Sequence, residues 1–117
     1  VPAEDVSIDP LVLTVGSDSK AALVTLQTIE LLRRTFGVNI NLGASNVSFG
    51  LPDRLTVNQA FLALAIQSGA TCSITDPVKL GTVIKAADLL LGRDDYAMRY
   101  IKYFRAAEAL REKEKPA

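Results

Sequence analysis

The chain has 117 residues, a comfortable size for one domain and too few for two. Thirteen Lys and Arg balance thirteen Asp and Glu, which argues against nucleic acid or an anionic membrane as the main partner, since both select a basic surface. One cysteine and no histidine exclude an internal disulfide, a Ser–His relay and a Cys/His zinc site, so no metal bound by this chain is expected.

In chain order, Val6-Ser7-Ile8 is a short strand candidate stopped by Asp9-Pro10, because proline removes a donor and restricts the residue before it. Leu11 to Val15 is apolar and leads into the turn chemistry of Gly16-Ser17-Asp18-Ser19. Leu26, Ile29, Leu32 and Phe36 have helical spacing between Lys20 and Phe36, with Gly37 suited to the helix end. Asn39 to Leu42 reads as a second strand ended by Gly43, followed by a loop over Ala44 to Arg54. Thr56 and Gln59 have capping-box spacing and predict a second helix, with Val57, Phe61 and Leu64 on one face and Gly69 at its end. Thr71 to Thr75 is a third strand closed by Asp76-Pro77. A third helix over Lys79 to Leu91 turns Leu80, Val83, Ile84, Ala87 and Leu90 inward. Asp94 starts a last helix carrying Ala97, Ile101, Phe104, Ala107 and Leu110, and the alternating charges of Arg111 to Lys115 read as its solvated end.

Three strand–loop–helix units and a final helix predict an α/β fold with a parallel sheet and right-handed crossovers. Binding groups in such folds sit in the loops after the strand C-termini, where Asp9, Asn46 and Asp76 fall. Asp9 and Asp76 are equally compatible with ordinary Asp-Pro turns. The loop Ala44 to Gly50 offers Ser45, Asn46 and Ser48 as neutral donors and acceptors, without a nucleophile–base pair. Arg54 follows as a possible anion or ring-stacking contact. No phosphate loop of the GxxxxGK[ST] or GxGxxG type occurs, and Cys72, inside a strand, reads as an inert packed thiol.

Asp5-Val6-Ser7-Ile8-Asp9-Pro10-Leu11, then Gly43-Ala44-Ser45-Asn46-Val47-Ser48-Phe49-Gly50-Leu51-Pro52-Asp53-Arg54, then Asn58-Gln59-Ala60-Phe61-Leu62, resembles the pterin-binding methyltransferases. These are the methyltetrahydrofolate:corrinoid/iron–sulfur protein methyltransferases and the folate module of cobalamin-dependent methionine synthase. The resemblance runs from about Glu4 to Leu91. It implies the last three βα units, strands six to eight, of a TIM (β/α)8 barrel over residues 5–92, with a C-terminal helical extension over 93–117. It implies transfer of the N5-methyl group of methyltetrahydrofolate to the cobalt of a corrinoid carried by a partner protein or domain. By the same resemblance Asp9 corresponds to the carboxylate that holds the 2-amino and N3 edge of the pterin. Asn46 corresponds to the asparagine that reaches N5 and is the catalytic candidate. Arg54 corresponds to an arginine of the substrate-binding loop, while Ser45 and Asp76 match the family pattern.

The family also draws an acidic residue and an asparagine from earlier strands, and no segment here supplies them. The chain is therefore expected to be the C-terminal part of such an enzyme, inactive alone without the N-terminal barrel half. Alternatives are a dihydropteroate synthase-like enzyme, disfavoured because the loop lacks a Ser-Arg-Lys element, and a non-catalytic half-barrel assembly module. Open sheet edges predict a homo-oligomer. The absence of a membrane span or a signal-peptide pattern gives a cytoplasmic expectation. The 49% hydrophobic content and mean hydropathy of +0.22 are high for a small domain. They are attributed to inward-facing strand residues that have lost their barrel partners.

Overall fold

The computed structural model describes residues 1–114. Its centre is a three-stranded parallel sheet in the order β1-β2-β3, formed by β1 (Ser7–Ile8), β2 (Asn39–Gly43) and β3 (Cys72–Ile74). Ser7 lies opposite Asn39 and Ile8 opposite Ile40; on the other side Asn41 faces Cys72 and Gly43 faces Ile74. The helices are α1 (Ala21–Phe36), α2 (Arg54–Ser68), α3 (Pro77–Leu90) and α4 (Met98–Glu114). They pack as a row, α1 on α2, α2 on α3 and α3 on α4.

Local chemistry sets the helix ends. Gly37 takes the left-handed φ of 63° that closes α1, its N–H donating to the Arg33 carbonyl at 3.0 Å. Asp76 caps α3, its Oδ1 accepting from the Val78 and Lys79 amides at 3.0 and 3.4 Å, with Pro77 at the first helical position. Asp94 starts the last helical segment as the sequence predicts, with a 3-10 turn (Asp95–Ala97) before α4. Its buried carboxylate accepts from the Arg99 and Tyr100 amides at 2.9 and 2.8 Å and pairs with the Arg99 guanidinium at 3.6 Å. Burial opposes ionisation, but those donors outweigh it and hold the Asp94 carboxyl below its ordinary range.

Several expectations are corrected. The Thr56/Gln59 capping box does not form: α2 begins three residues earlier, Asp53 is its cap residue, and the Thr56 hydroxyl donates to the Asp53 carboxylate at 2.8 Å. The buried face of α2 is Phe61, Leu62, Ala65 and Ile66, and Leu64 is half exposed. Apolar residues surround this helix, so periodicity alone does not select the inward side. Leu90 projects into solvent from the end of α3. On α4, Tyr100, Tyr103 and Ala107 are the half-buried positions, whereas Ile101, Phe104 and Leu110 are exposed. Cys72 is exposed, not packed, because it lies on the side of β3 away from the helices.

The core lies between the sheet and the helices: Ile40 and Leu42 of β2 meet Ile29, Phe61, Leu62, Ala65, Leu80 and Ala87. The alternation Asn39-Ile40-Asn41-Leu42-Gly43 sends the other residues of β2 to the opposite face, which no helix covers. The accessible surface is 8052 Å², against about 6200 Å² for a compact monomer of this mass. The radius of gyration, 15.9 Å, likewise exceeds the roughly 13 Å of a compact chain of this length. The excess apolar surface does not come from the strands, as the composition had suggested. The uncovered sheet face carries Ser7, Asn39, Asn41, Gly43 and Cys72, with Ile74 its one large apolar residue. The exposed large apolar side chains sit mainly on helices, notably Leu23, Val24, Leu31 and Phe36 of α1 and Met98, Ile101, Phe104 and Leu110 of α4. No helix among the described residues is long and apolar enough to cross a membrane.

Candidate functional site

The C-terminal ends of all three strands open on the same rim, because the sheet is parallel. At the end of β2 the chain enters a 3-10 turn (Ala44–Ser48) whose Ala44, Val47 and Ser48 are buried, leaving Ser45 and Asn46 facing outward. The segment after β1 braces this turn: the Val15 amide donates to the Val47 carbonyl at 3.1 Å, and the Thr14 hydroxyl to the Asn46 carbonyl at 3.1 Å. Asn46 therefore has a backbone fixed from both sides and a solvent-facing carboxamide. Its Nδ2 lies 4.0 Å from where a Cβ on Gly43 would stand, so the amide overhangs the bare end of β2.

Asp9 follows the last residue of β1. One carboxylate oxygen, Oδ1, accepts the Leu11 amide at 2.8 Å and holds Leu11 at a left-handed φ of 63°. Leucine tolerates that conformation at a cost of roughly 1–2 kcal/mol. The Asp9 turn is therefore a maintained geometry, which leaves Oδ2 directed to a ligand or to solvent.

Arg54 is the first residue of α2 and acts as a buckle for the loop. Its Nε donates to the Ser48 hydroxyl at 3.0 Å and its Nη2 to the Ser45 carbonyl at 2.9 Å, while the guanidinium sits 5.8 Å from the Phe49 ring centroid. Ser48, fully buried, passes the chain of bonds on to Asn58 Oδ1 at 2.6 Å. Asn58 was not among the residues expected from sequence, and Ser48 was singled out only as one of the loop's neutral donors and acceptors, not as the bridge it forms. Both lie in the quoted motif, but a buried hydroxyl joining a loop to a helix ten residues later has no spacing signature.

A cleft of about 470 Å³ opens between the N-terminal ends of α2 and α3. Ser45, Arg54 and Asp76 line it, together with Asn58, Thr75 and Lys79. Three of the five expected residues thus share one cavity, while Asp9 and Asn46 lie outside its lining, on the β1–β2 side of the rim. The oxygen of Asp76 that caps α3 accounts for that residue structurally. Among the described residues there is no grouping of three or more His, Cys, Asp or Glu side chains able to hold a metal ion.

A carboxylate (Asp9) and an asparagine amide (Asn46) thus follow the ends of neighbouring strands, with Gly43 presenting no side chain beside Asn46. Known proteins resemble this chain in sequence. The methylcorrinoid:tetrahydrofolate methyltransferase of Eubacterium limosum is 35% identical over 104 residues, 86% of this chain and 38% of that protein's length. The chain thus spans little more than a third of this relative. The pattern of the pterin binding enzymes matches residues 1–76, the stretch that holds Asp9, the Asn46 turn, Arg54 and Asp76, and the chain belongs to that family.

Proposed function

We propose that this chain contributes the pterin-holding rim of a methyltransferase that moves a methyl group between N5 of tetrahydrofolate and the cobalt of a corrinoid. The observation that carries the reading is the placement of Asp9 and Asn46 after the C-terminal ends of adjacent strands, with Asn46 over Gly43, in a chain of the pterin binding enzyme family. Asp9 accepts from the 2-amino and N3 edge of the pterin, a charge-assisted contact that fixes the ring plane. Asn46 reaches N5. When the methyl group leaves N5, the amine nitrogen keeps the bonding pair and needs a proton or hydrogen bonds, because an unassisted amide-like anion is a poor leaving group. A carboxamide is too weak an acid to supply the proton. Nδ2 and Oδ1 instead orient the water that does, and they stabilise the charge that changes at N5. The Eubacterium limosum relative is named for transfer from methylcorrinoid to tetrahydrofolate. Transfer in either direction crosses the same transition state, so these roles hold for both.

In this reading the corrinoid is the methyl acceptor or donor and is carried by a partner protein or domain in the cytoplasm. The three βα units correspond to strands six to eight of a TIM barrel, with the helical extension after residue 92. The remaining strands, and the acidic residue and asparagine that complete the pterin contacts, come from sequence outside these 117 residues. The uncovered sheet face and the 38% coverage of the relative support that assignment. The test is methyl transfer to a corrinoid protein by this chain alone and by this chain supplemented with the first five βα units. Activity only in the supplemented mixture is the expected result, and full activity of the chain alone would overturn the proposal.

A further inference from the structure

Asn41 occupies the middle of the central strand, on the face that no helix covers. Its neighbour across β3 is Cys72, and continuing the β1 register one residue past Ile8 places Asp9 on its other side. Its Oδ1 is shut off from solvent and has no hydrogen-bond partner among the described residues. Asn39, two residues earlier on the same face, is by contrast satisfied by donating to the Glu4 carbonyl at 3.1 Å. A buried carbonyl left in that state costs on the order of 1–3 kcal/mol, which a leucine of similar size would not incur. Two residues further along, Gly43 presents no side chain, and the Asn46 amide overhangs it.

We infer that Asn41 is a further pterin-contacting residue, its carboxamide pairing with the N3–H and C4-carbonyl lactam edge of the ring. The inference rests on the pterin reading of Asp9 and Asn46. A ring held at its 2-amino group by Asp9 and at N5 by Asn46 lies across Gly43, above Asn41. Around the pterin perimeter, the polar atoms between those two anchors are N3–H and the C4 oxygen. A carboxamide presents an acceptor and a donor at the spacing of that lactam: with the Asn41 side chain turned about χ2 so that its shut-off Oδ1 reaches the open face, Oδ1 accepts N3–H and Nδ2 donates to the C4 oxygen. Asp9, with one oxygen already committed to the Leu11 amide, shares N3–H and keeps the 2-amino group. The stability cost of the orphaned oxygen thus becomes discrimination when the ligand supplies its partner.

The experiment compares tetrahydrofolate with its 4-amino analogue, in which the C4 oxygen is an amine and N3 carries no proton. Binding of both is measured by calorimetry on the full-length protein, for wild type, Asn41→Leu, Asn41→Asp and Asp9→Asn. Asn41→Leu should weaken tetrahydrofolate about tenfold, narrow the preference for the 4-oxo ligand, and melt no lower than wild type. Asn41→Asp should shift preference towards the 4-amino ligand. Wild-type affinities in both Asn41 variants, with binding lost in Asp9→Asn, would overturn this inference and leave the pterin site standing. Equal losses for both ligands with a lowered melting temperature would make Asn41 a packing residue and also overturn it. No pterin binding by wild type, or binding indifferent to Asp9→Asn, would sink the pterin reading and this inference with it.

Discussion

Removing the Ser48 hydroxyl tests whether the rim is held by the Arg54 buckle or merely decorated by it. In Ser48→Ala, Asn58 Oδ1 loses a 2.6 Å bond and Arg54 Nε a 3.0 Å bond, in a site where Ser48 is fully buried. A neutral bond contributes about 1 kcal/mol and a bond to a charged donor about 1.5–3 kcal/mol. Arg54 is solvent-exposed, so its Nε regains water and its share falls to the low end. The half-buried Asn58 oxygen recovers less. The expected loss is about 2 kcal/mol, a fall in melting temperature of roughly 8 °C for a domain of this size. Urea and thermal unfolding of Ser48→Ala, Arg54→Met and the double variant form a cycle, with methionine keeping an unbranched aliphatic chain at the position. A coupling near 1 kcal/mol is expected for residues in direct contact. Additivity within about 0.3 kcal/mol would show that Arg54 and Ser48 act independently, and the buckle would be refuted.

Two further outcomes follow from the fold. The Asp94 carboxyl is held below its ordinary range, so its contribution is fully present above the unfolded value of about 3.9 and is lost as pH falls through the lower folded value. Asp94→Asn should therefore melt below wild type at pH 7, with the gap closing as pH falls below that unfolded value; a gap independent of pH would contradict the ion-paired cap. The chain should also self-associate at micromolar concentration, as measured by light scattering after size exclusion. Leu23→Glu with Leu31→Glu on exposed α1 should reduce the association without lowering the melting temperature, and a monomeric wild type would defeat the expectation.

How far the fold was legible depended on whether a residue's role was local. Gly37 and Asp94 act within a few residues of themselves, and the sequence placed the helix boundaries they set, whereas Asp76-Pro77, read as the stop of the third strand, also caps α3 two residues before the expected helix start at Lys79. Leu64, Leu90 and Phe104 failed because which face of an apolar helix is inward is decided by its neighbours, not by its own pattern. The same limit explains the site: Asp9, Asn46 and Arg54 sit in a recognisable motif, whereas the Ser48–Asn58 bond and the unpartnered Asn41 oxygen exist only once β2, the 3-10 turn and α2 are assembled. It also relocates the oily composition. A core face merely stripped of its partners would show valines and isoleucines on the open side of the strands. That side instead shows Ser7, Asn39, Asn41 and Cys72, while the exposed apolar residues gather on α1 and α4, the two ends of the helix row. Polar residues on the sheet and apolar residues at the row's ends fit the proposed incomplete ring, in which further helices would cover α1 and α4 and a ligand would meet the strands.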